Sequence, residues 1–152
     1  METEVAKFNV IGIVVRTTNE GGQSATDIPK LWDQFLSNNI LAQIPNRVDD
    51  TIYCIYTDYE SDYTKPYTTL LGCRVKTLDV IPGTFTGRSF SGGKYTIFTT
   101  KGKLSDGIVF QEWSKIWNNA NLDRAYTADF EVYGTKAQDP ANAEIDIFVA
   151  IK

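Results

Sequence analysis

Hydrophobic and polar residues alternate in six stretches of the chain, which is the pattern of half-buried β-strands. The predicted strands are Val5–Thr17, Asp50–Glu60, Lys65–Leu78, Gly92–Gly102, Ala125–Gly134 and Ala143–Lys152. Polar segments rich in glycine, asparagine, aspartate and proline separate them, as expected for turns and loops. The pattern therefore predicts three strands in each half of the chain.

Two further segments have apolar residues at helical spacing. In "TDIPKLWDQFLSNNI" we expect Thr26 or Asp27 as the N-cap and Pro29 in the first turn. The second segment is "SDGIVFQEWSKIWNNAN". The apolar positions are Ile28, Leu31, Trp32 and Phe35 in the first segment, and Val109, Phe110, Trp113, Ile116 and Trp117 in the second. Each predicted helix thus has one broad apolar face to bury.

The order β-α-β-β occurs twice, and matching pieces share letters. "KLWDQF" corresponds to "QEWSKIW", and "YTDYE" corresponds to "TADFE". The sequence predicts one domain over residues 1–152, with a first repeat at about 5–78, a linker at about 79–91 and a second repeat at about 92–152. The predicted fold class is α+β: a pseudo-twofold tandem repeat with an antiparallel sheet, two main helices and a central groove for a ligand.

Composition excludes several kinds of chemistry. The 152 residues carry a net charge of -4 with no basic cluster, so we expect no direct contact with nucleic acid. The chain has no histidine, which excludes histidine-based catalysis and histidine-ligated metal. The two cysteines, Cys54 and Cys73, lie in predicted strands without metal-binding spacing and are interpreted as reduced, buried thiols. We predict no cofactor and no metal site.

The N-terminal segment "METEVAKFNV" resembles neither a signal peptide nor a transmembrane helix. The prediction is a cytoplasmic protein without membrane association.

The segment "RAYTADFEVYG", Arg124–Gly134, places the carboxylate Glu131 among aromatic and small apolar residues. Along a strand Asp129, Glu131 and Tyr133 share one face. One interpretation is an ordinary solvated face, with Glu131 in water or paired with a lysine or arginine. The other is a carboxylate inside the groove, which an organic cation would neutralise with help from cation–π contacts.

The segments "IYTDYESDYTKPYTTLLGCRV", "IPGTFTGRSF", "GGKYTIFTTKG" and above all "RAYTADFEVYG" with "AEIDIFVAIK" resemble the integron-cassette effector-binding proteins. These are stand-alone members of the GyrI-like superfamily, which also supplies ligand-sensing domains to AraC-type and MerR-type regulators. The resemblance runs from about Phe8 to Lys152. It implies a tandem β-α-β-β fold whose groove binds cationic, lipophilic drugs and dyes beside an acidic residue, and Glu131 occupies that position.

The expected ligand-binding residues combine this glutamate with nearby aromatic side chains. They are Glu131, Tyr56, Trp113, Tyr133, Tyr95, Phe98, Trp32 and Trp117. The sequence offers Asp58 and Glu60 as a second acid at the rim, although a solvated position suits them better. Tyrosines suit a pocket wall because they combine an apolar ring with a polar tip.

The predicted function is a binding module, a sensor or sequestering protein for amphipathic organic cations, and not an enzyme. The alternative is a GyrI-like hydrolase of reactive electrophilic natural products, with Glu131 as acid–base group or paired with Glu60. A third hypothesis is a haem-binding protein or a protein that only interacts with other proteins. The lack of histidine counts against axial ligation of haem. A homodimer and a separate DNA-binding partner both stay open.

Overall fold

The computed structural model describes residues 1–152 and contains one eight-stranded antiparallel sheet with two main helices. The strands are β1 (Glu2–Val5), β2 (Phe8–Thr17), β3 (Ile52–Thr57), β4 (Tyr67–Val75), β5 (Thr86–Phe90), β6 (Gly93–Gly102), β7 (Ala128–Tyr133) and β8 (Ala143–Ala150). The helices are α1 (Ser24–Ser37), the single turn α2 (Ile40–Gln43) and α3 (Ile108–Trp117). The strand order is β1-β6-β8-β7-β3-β4-β2-β5. The predicted α+β class with an antiparallel sheet and two main helices is confirmed.

The two halves meet where β3 pairs with β7, and they exchange their outermost strands. The predicted strand Val5–Thr17 corresponds to β2, and an additional strand, β1, ends at Val5 and pairs with β6 of the second half. The predicted linker 79–91 contains β5, which pairs with β2 of the first half. The sequence pattern missed this exchange because alternation shows that a segment is extended but not which edge it covers.

Helix α1 begins earlier than predicted. Its first residue is Ser24, so Thr26 and Asp27 lie inside the first turn and Pro29 lies in the second. The Asp27 carboxylate accepts hydrogen bonds from the Thr17 hydroxyl at 2.8 Å and from the Gln23 amide at 3.0 Å. Asp27 therefore anchors the helix to the end of β2 rather than serving as its cap. A carboxylate there also favours the positive end of the helix dipole.

The sheet is strongly curved. Phe8 on β2 and Phe130 on β7 are three strands apart, about 14 Å in a flat sheet, yet their ring centroids are 5.4 Å apart. Gly12 and Gly72 face each other on β2 and β4, and a Cβ on Gly12 would lie 2.1 Å from the Leu71 carbonyl oxygen. Only glycine permits this close approach of two strands.

The two faces of the curved sheet have different cores. The inner face buries an aromatic cluster that includes Phe8, Phe90, Tyr95, Phe130 and Phe148. The other face carries one apolar cluster under α1 and a second under α3. The helices cover the two halves separately, which leaves space between them above β3 and β7. No helix in the structure is both long and apolar enough to span a bilayer.

Candidate functional site

A cavity of about 380 Å³ lies between α1 and α3, with strands β3 and β7 beneath it. Twelve of its 17 lining residues are hydrophobic. The wall from α1 is formed by Ser24, Ala25, Ile28, Pro29 and Trp32, and the wall from α3 by Val109, Phe110, Trp113 and Trp117. Both sets follow the spacing of a single helix face. The apolar faces predicted from the sequence are therefore shared between the core and this cavity.

Glu131 lies in the cavity wall and is almost fully buried, with 2% of its surface exposed. Its carboxylate accepts three hydrogen bonds, from the Tyr56 hydroxyl at 2.6 Å, the Trp113 indole N–H at 2.7 Å and the Tyr133 hydroxyl at 2.6 Å. All three donors are neutral. No lysine or arginine nitrogen lies within 4.0 Å of Glu131.

Burial governs the protonation of Glu131. Loss of water around the carboxylate raises its pKa above the usual glutamate value, although the three donors oppose this effect. The same burial raises the pKa of the Tyr56 and Tyr133 hydroxyls well above the ordinary tyrosine value. The tyrosines therefore remain neutral donors, and the negative charge of the cluster belongs to Glu131 alone.

Aromatic rings enclose this carboxylate in a fixed arrangement. Tyr56 meets Trp113 edge-on, with ring centroids 5.5 Å apart and planes at 90°. Trp32 meets Tyr133 in the same way at 4.7 Å. Helix α1 supplies Trp32 to one side of the site and helix α3 supplies Trp113 to the other, and the strands supply the tyrosines between them. Such edge-to-face pairs hold ring orientation as well as burying area.

A second buried carboxylate, Asp129, lies two residues earlier on β7 and has its own cation. It accepts hydrogen bonds from the Arg124 guanidinium at 2.7 Å, the Tyr59 hydroxyl at 2.6 Å and the Ala150 backbone N–H at 2.7 Å. Arg124 borders the cavity and is itself buried. Sequence reasoning missed Arg124 because no spacing rule shows that a loop arginine returns to the strand five residues later.

The structure brings together six of the eight residues predicted for the site. The cavity wall includes Glu131, Tyr56, Trp113, Tyr133, Trp32 and Trp117. Tyr95 lies in the aromatic cluster on the opposite face of the sheet and donates to the Ala128 carbonyl oxygen at 2.8 Å. Phe98 packs in the cluster beneath α3. Both residues lie on β6, which β8 separates from β7 and therefore from the cavity. The aromatic cluster covers Tyr95, and the cluster beneath α3 covers Phe98.

The expected second acid is outside the cavity. Strand β3 ends at Thr57, and Asp58 has a left-handed backbone with φ of 51°, so the alternation of faces stops there. The Asp58 carboxylate forms a two-bond pair with Arg88 at 2.8 and 3.0 Å. Glu60 is exposed. The matching letters "DYE" and "DFE" therefore do not occupy matching environments.

Three tyrosines that sequence reasoning omitted also line the cavity: Tyr59, Tyr63 and Tyr67. Tyr63 stacks on Trp117, with centroids 5.4 Å apart and planes at 5°, and joins the β3–β4 loop to α3. The density of tyrosine in "YESDYTKPY" was the available signal. Alternation along the two predicted strands does not show that Tyr59 and Tyr67 come together with Tyr63 of the polar loop between them.

The structure contains no group of three or more histidine, cysteine, aspartate or glutamate side chains arranged to hold a metal ion. Cys54 and Cys73 are buried and unpaired, and burial raises the pKa of both thiols. The Cys54 thiol donates to the Tyr56 hydroxyl oxygen at 3.4 Å, behind the cavity wall. Both cysteines are therefore protonated packing residues.

Comparison with known proteins gives a consistent result. A Bacillus subtilis protein, YobU, whose name describes it only as a candidate transcriptional regulator, is 32% identical over 127 residues, which are 82% of this chain and 79% of YobU. An integron cassette protein from the mobile metagenome of Vibrio cholerae is 30% identical in sequence, and its crystal structure matches this one with a TM-score of 0.75. The match covers 100% of this chain and 95% of that one.

SAV2435, solved with bound tetraphenylphosphonium, has the same fold, with a TM-score of 0.82 and 16% identity over 100% of this chain and 93% of its own. The family Cass2, described as integron-associated effector-binding proteins, matches residues 3–151. This chain belongs to the Cass2 family of integron-associated effector-binding proteins.

Proposed function

We propose that this protein binds lipophilic organic cations in the cavity between α1 and α3, with Glu131 as the counter-charge. The observation that carries the proposal is a buried carboxylate with three neutral donors and no cation of its own, in a cavity lined by aromatic rings. A buried charge without a partner is unfavourable, and an incoming cation removes that penalty. The ring faces add cation–π attraction.

The shape of the cavity favours broad recognition. Tyr56, Trp113 and Tyr133 are held by Glu131 and by one another, so their orientation is set before a ligand enters. Flat rings and one charge contact many ligand shapes equally well. Binding of tetraphenylphosphonium by SAV2435, which shares the fold, supports the same ligand class here. The chain then acts as a sensor or a sequestering protein, alone, as a homodimer or with a DNA-binding partner.

The hydrolase alternative finds less support. Glycoside-type chemistry needs two carboxyl groups facing one ligand. Here Glu60 is exposed and absent from the cavity wall, and Asp129 is paired with Arg124. The raised pKa of Glu131 suits acid–base work but serves cation binding equally. We therefore propose binding without turnover, which is checked by incubating the protein with candidate electrophiles and looking for product.

The direct test compares tetraphenylphosphonium with tetraphenylborate, an anion of the same shape. Titration calorimetry, supported by quenching of the three tryptophans, should show binding of the cation only. Equal affinity for both ions would contradict recognition by charge.

The matched variants are Glu131→Gln and Glu60→Gln. Glu131→Gln keeps the size of the side chain and removes its charge, so cation affinity should fall on the order of 30-fold or more, as for loss of one member of a buried charge pair. Glu60→Gln removes an exposed charge and should change affinity by less than about twofold. An unchanged affinity in Glu131→Gln would show that another group supplies the counter-charge.

A further inference from the structure

Arg124 has hydrogen-bonding capacity that the protein does not use. Its side chain is 5% exposed, and only Nη2 has a partner, the Asp129 carboxylate at 2.7 Å. The Nε and Nη1 atoms are buried and have no acceptor. Together they carry three N–H bonds, and Arg124 is one of the residues that line the cavity.

Buried donors without acceptors are rare in folded proteins, and each one requires an explanation. Two aromatic rings pack against the Arg124 guanidinium. Its Cζ lies 4.3 Å from the ring centroid of Tyr126 and 5.7 Å from that of Trp113. Tyr126 itself has a positive φ of 55°, a strained conformation for an aromatic residue. Strain of this kind is concentrated at binding sites.

The position of Arg124 relative to Glu131 gives the cavity two poles. Trp113 donates its indole N–H to Glu131, and its ring lies beside Arg124. The indole therefore contacts both a carboxylate that lacks a cation and a guanidinium in which two of the three nitrogen atoms lack acceptors. Asp129 already balances the charge of Arg124, so a further carboxylate from a ligand would lie close to Asp129 and be repelled.

We propose that Arg124 is a second recognition point of the cavity and that the ligand is an organic cation carrying a neutral acceptor oxygen, such as an ester or amide carbonyl. The cationic end lies toward Glu131 and the oxygen accepts from Nε or Nη1 of Arg124 after a small adjustment of the side chain. This inference rests on the proposed function, because it places the second end of the same ligand.

The test uses two cations of equal length that differ only in the acceptor. Benzoylcholine has an ester between its phenyl ring and its quaternary ammonium group, and (4-phenylbutyl)trimethylammonium has methylene groups there. Wild-type protein should bind benzoylcholine about tenfold more tightly, the effect of one hydrogen bond to a charged donor. In Arg124→Lys the ammonium group still pairs with Asp129, but the Nε and Nη1 donors are gone, and the preference should fall to within about twofold.

A second variant tests the same point if Arg124→Lys does not fold. Arg124→Met combined with Asp129→Asn removes both charges, so neither is left buried alone, and it should also abolish the preference for the ester. Folding of each variant is checked by circular dichroism.

The outcomes separate the two proposals. If both probes bind in a way that depends on Glu131 but with equal affinity, the role of Arg124 is wrong while the proposed function stands. A preference for benzoylcholine that persists in either folded variant also overturns it. If neither probe binds to the wild type, the role of Arg124 is wrong, and the tetraphenylphosphonium titration decides the proposed function separately.

Discussion

Two buried carboxylates on β7 occupy opposite kinds of environment. Asp129 and Glu131 lie two residues apart on the same face of the strand, and each accepts three hydrogen bonds. Asp129 has Arg124 as its internal cation, whereas Glu131 has only neutral donors. Burial of an acid therefore does not by itself indicate a binding site. The informative feature is the missing counter-charge, because a paired carboxylate is already stabilised by the fold.

The largest expected effect comes from breaking the internal pair. Asp129→Asn leaves Arg124 buried without an anion, and loss of one partner of a buried pair destabilises a protein by about 3–5 kcal/mol. Urea unfolding measures the change in the free energy of unfolding. A loss below about 1 kcal/mol would mean that Asp129 is not the structural member of the two carboxylates.

The next effect concerns the pH dependence of stability without ligand. Burial raises the pKa of the Glu131 carboxyl, so the folded protein holds more protons than the unfolded chain between the usual glutamate pKa and the raised one. The stabilisation that comes from protonated Glu131 in the folded protein is fully present below the usual glutamate pKa of about 4.3. It is lost as the pH rises through the pKa of Glu131 in the folded state. The slope is at most about 1.4 kcal/mol per pH unit.

Comparison with Glu131→Gln isolates this slope, because other carboxylates are shared by both proteins. Asp58 and Glu144, whose pKa values are lowered by Arg88 and Lys136, give the opposite slope in each. The difference between the two stability curves should therefore decline with rising pH. A difference that is flat from acid to neutral pH would contradict a raised pKa at Glu131. Over the same range, the affinity of the wild type for a cation should increase.

A smaller effect is expected from one neutral donor. Tyr133→Phe removes the hydrogen bond to Oε1 of Glu131 but keeps the ring against Trp32. The free energy of unfolding should fall by about 1 kcal/mol, and the pKa of Glu131 should rise further because one donor to the carboxylate is lost. Both are read from urea unfolding across pH. An unchanged pH profile would show that Tyr133 does not hold the charged form.

The smallest effect is expected at the surface. The Asp58 side chain is 46% exposed and pairs with Arg88. In Asp58→Asn the new asparagine also tolerates the left-handed backbone at this position. The free energy of unfolding should therefore fall by only about 0.2–1 kcal/mol, from loss of the exposed ion pair. Unfolding in low and high salt checks this. A loss as large as that of Asp129→Asn would remove the distinction between buried and exposed acids.

Local pattern predicted much of the fold. The strands centred on β2, β3, β4, β6, β7 and β8 and the helices α1 and α3 follow from alternation and helical spacing, because those periods reflect the geometry of one segment. The exchange of β1 and β5 does not follow, since pairing between distant edges has no local signature. The start of α1 was also missed, because Asp27 bonds to Thr17 on another element.

Alternation along the chain is enough to place Asp129, Glu131 and Tyr133 on one face of a strand among aromatic residues. Which of the two acids has a cation depends on the packing of distant segments, because Arg124 and Trp113 reach β7 from a loop and a helix. The same packing buries Tyr95 on the far side of the sheet. Period-two alternation divides side chains between the two faces of a strand, whereas the path of segments distant in sequence determines what covers each face.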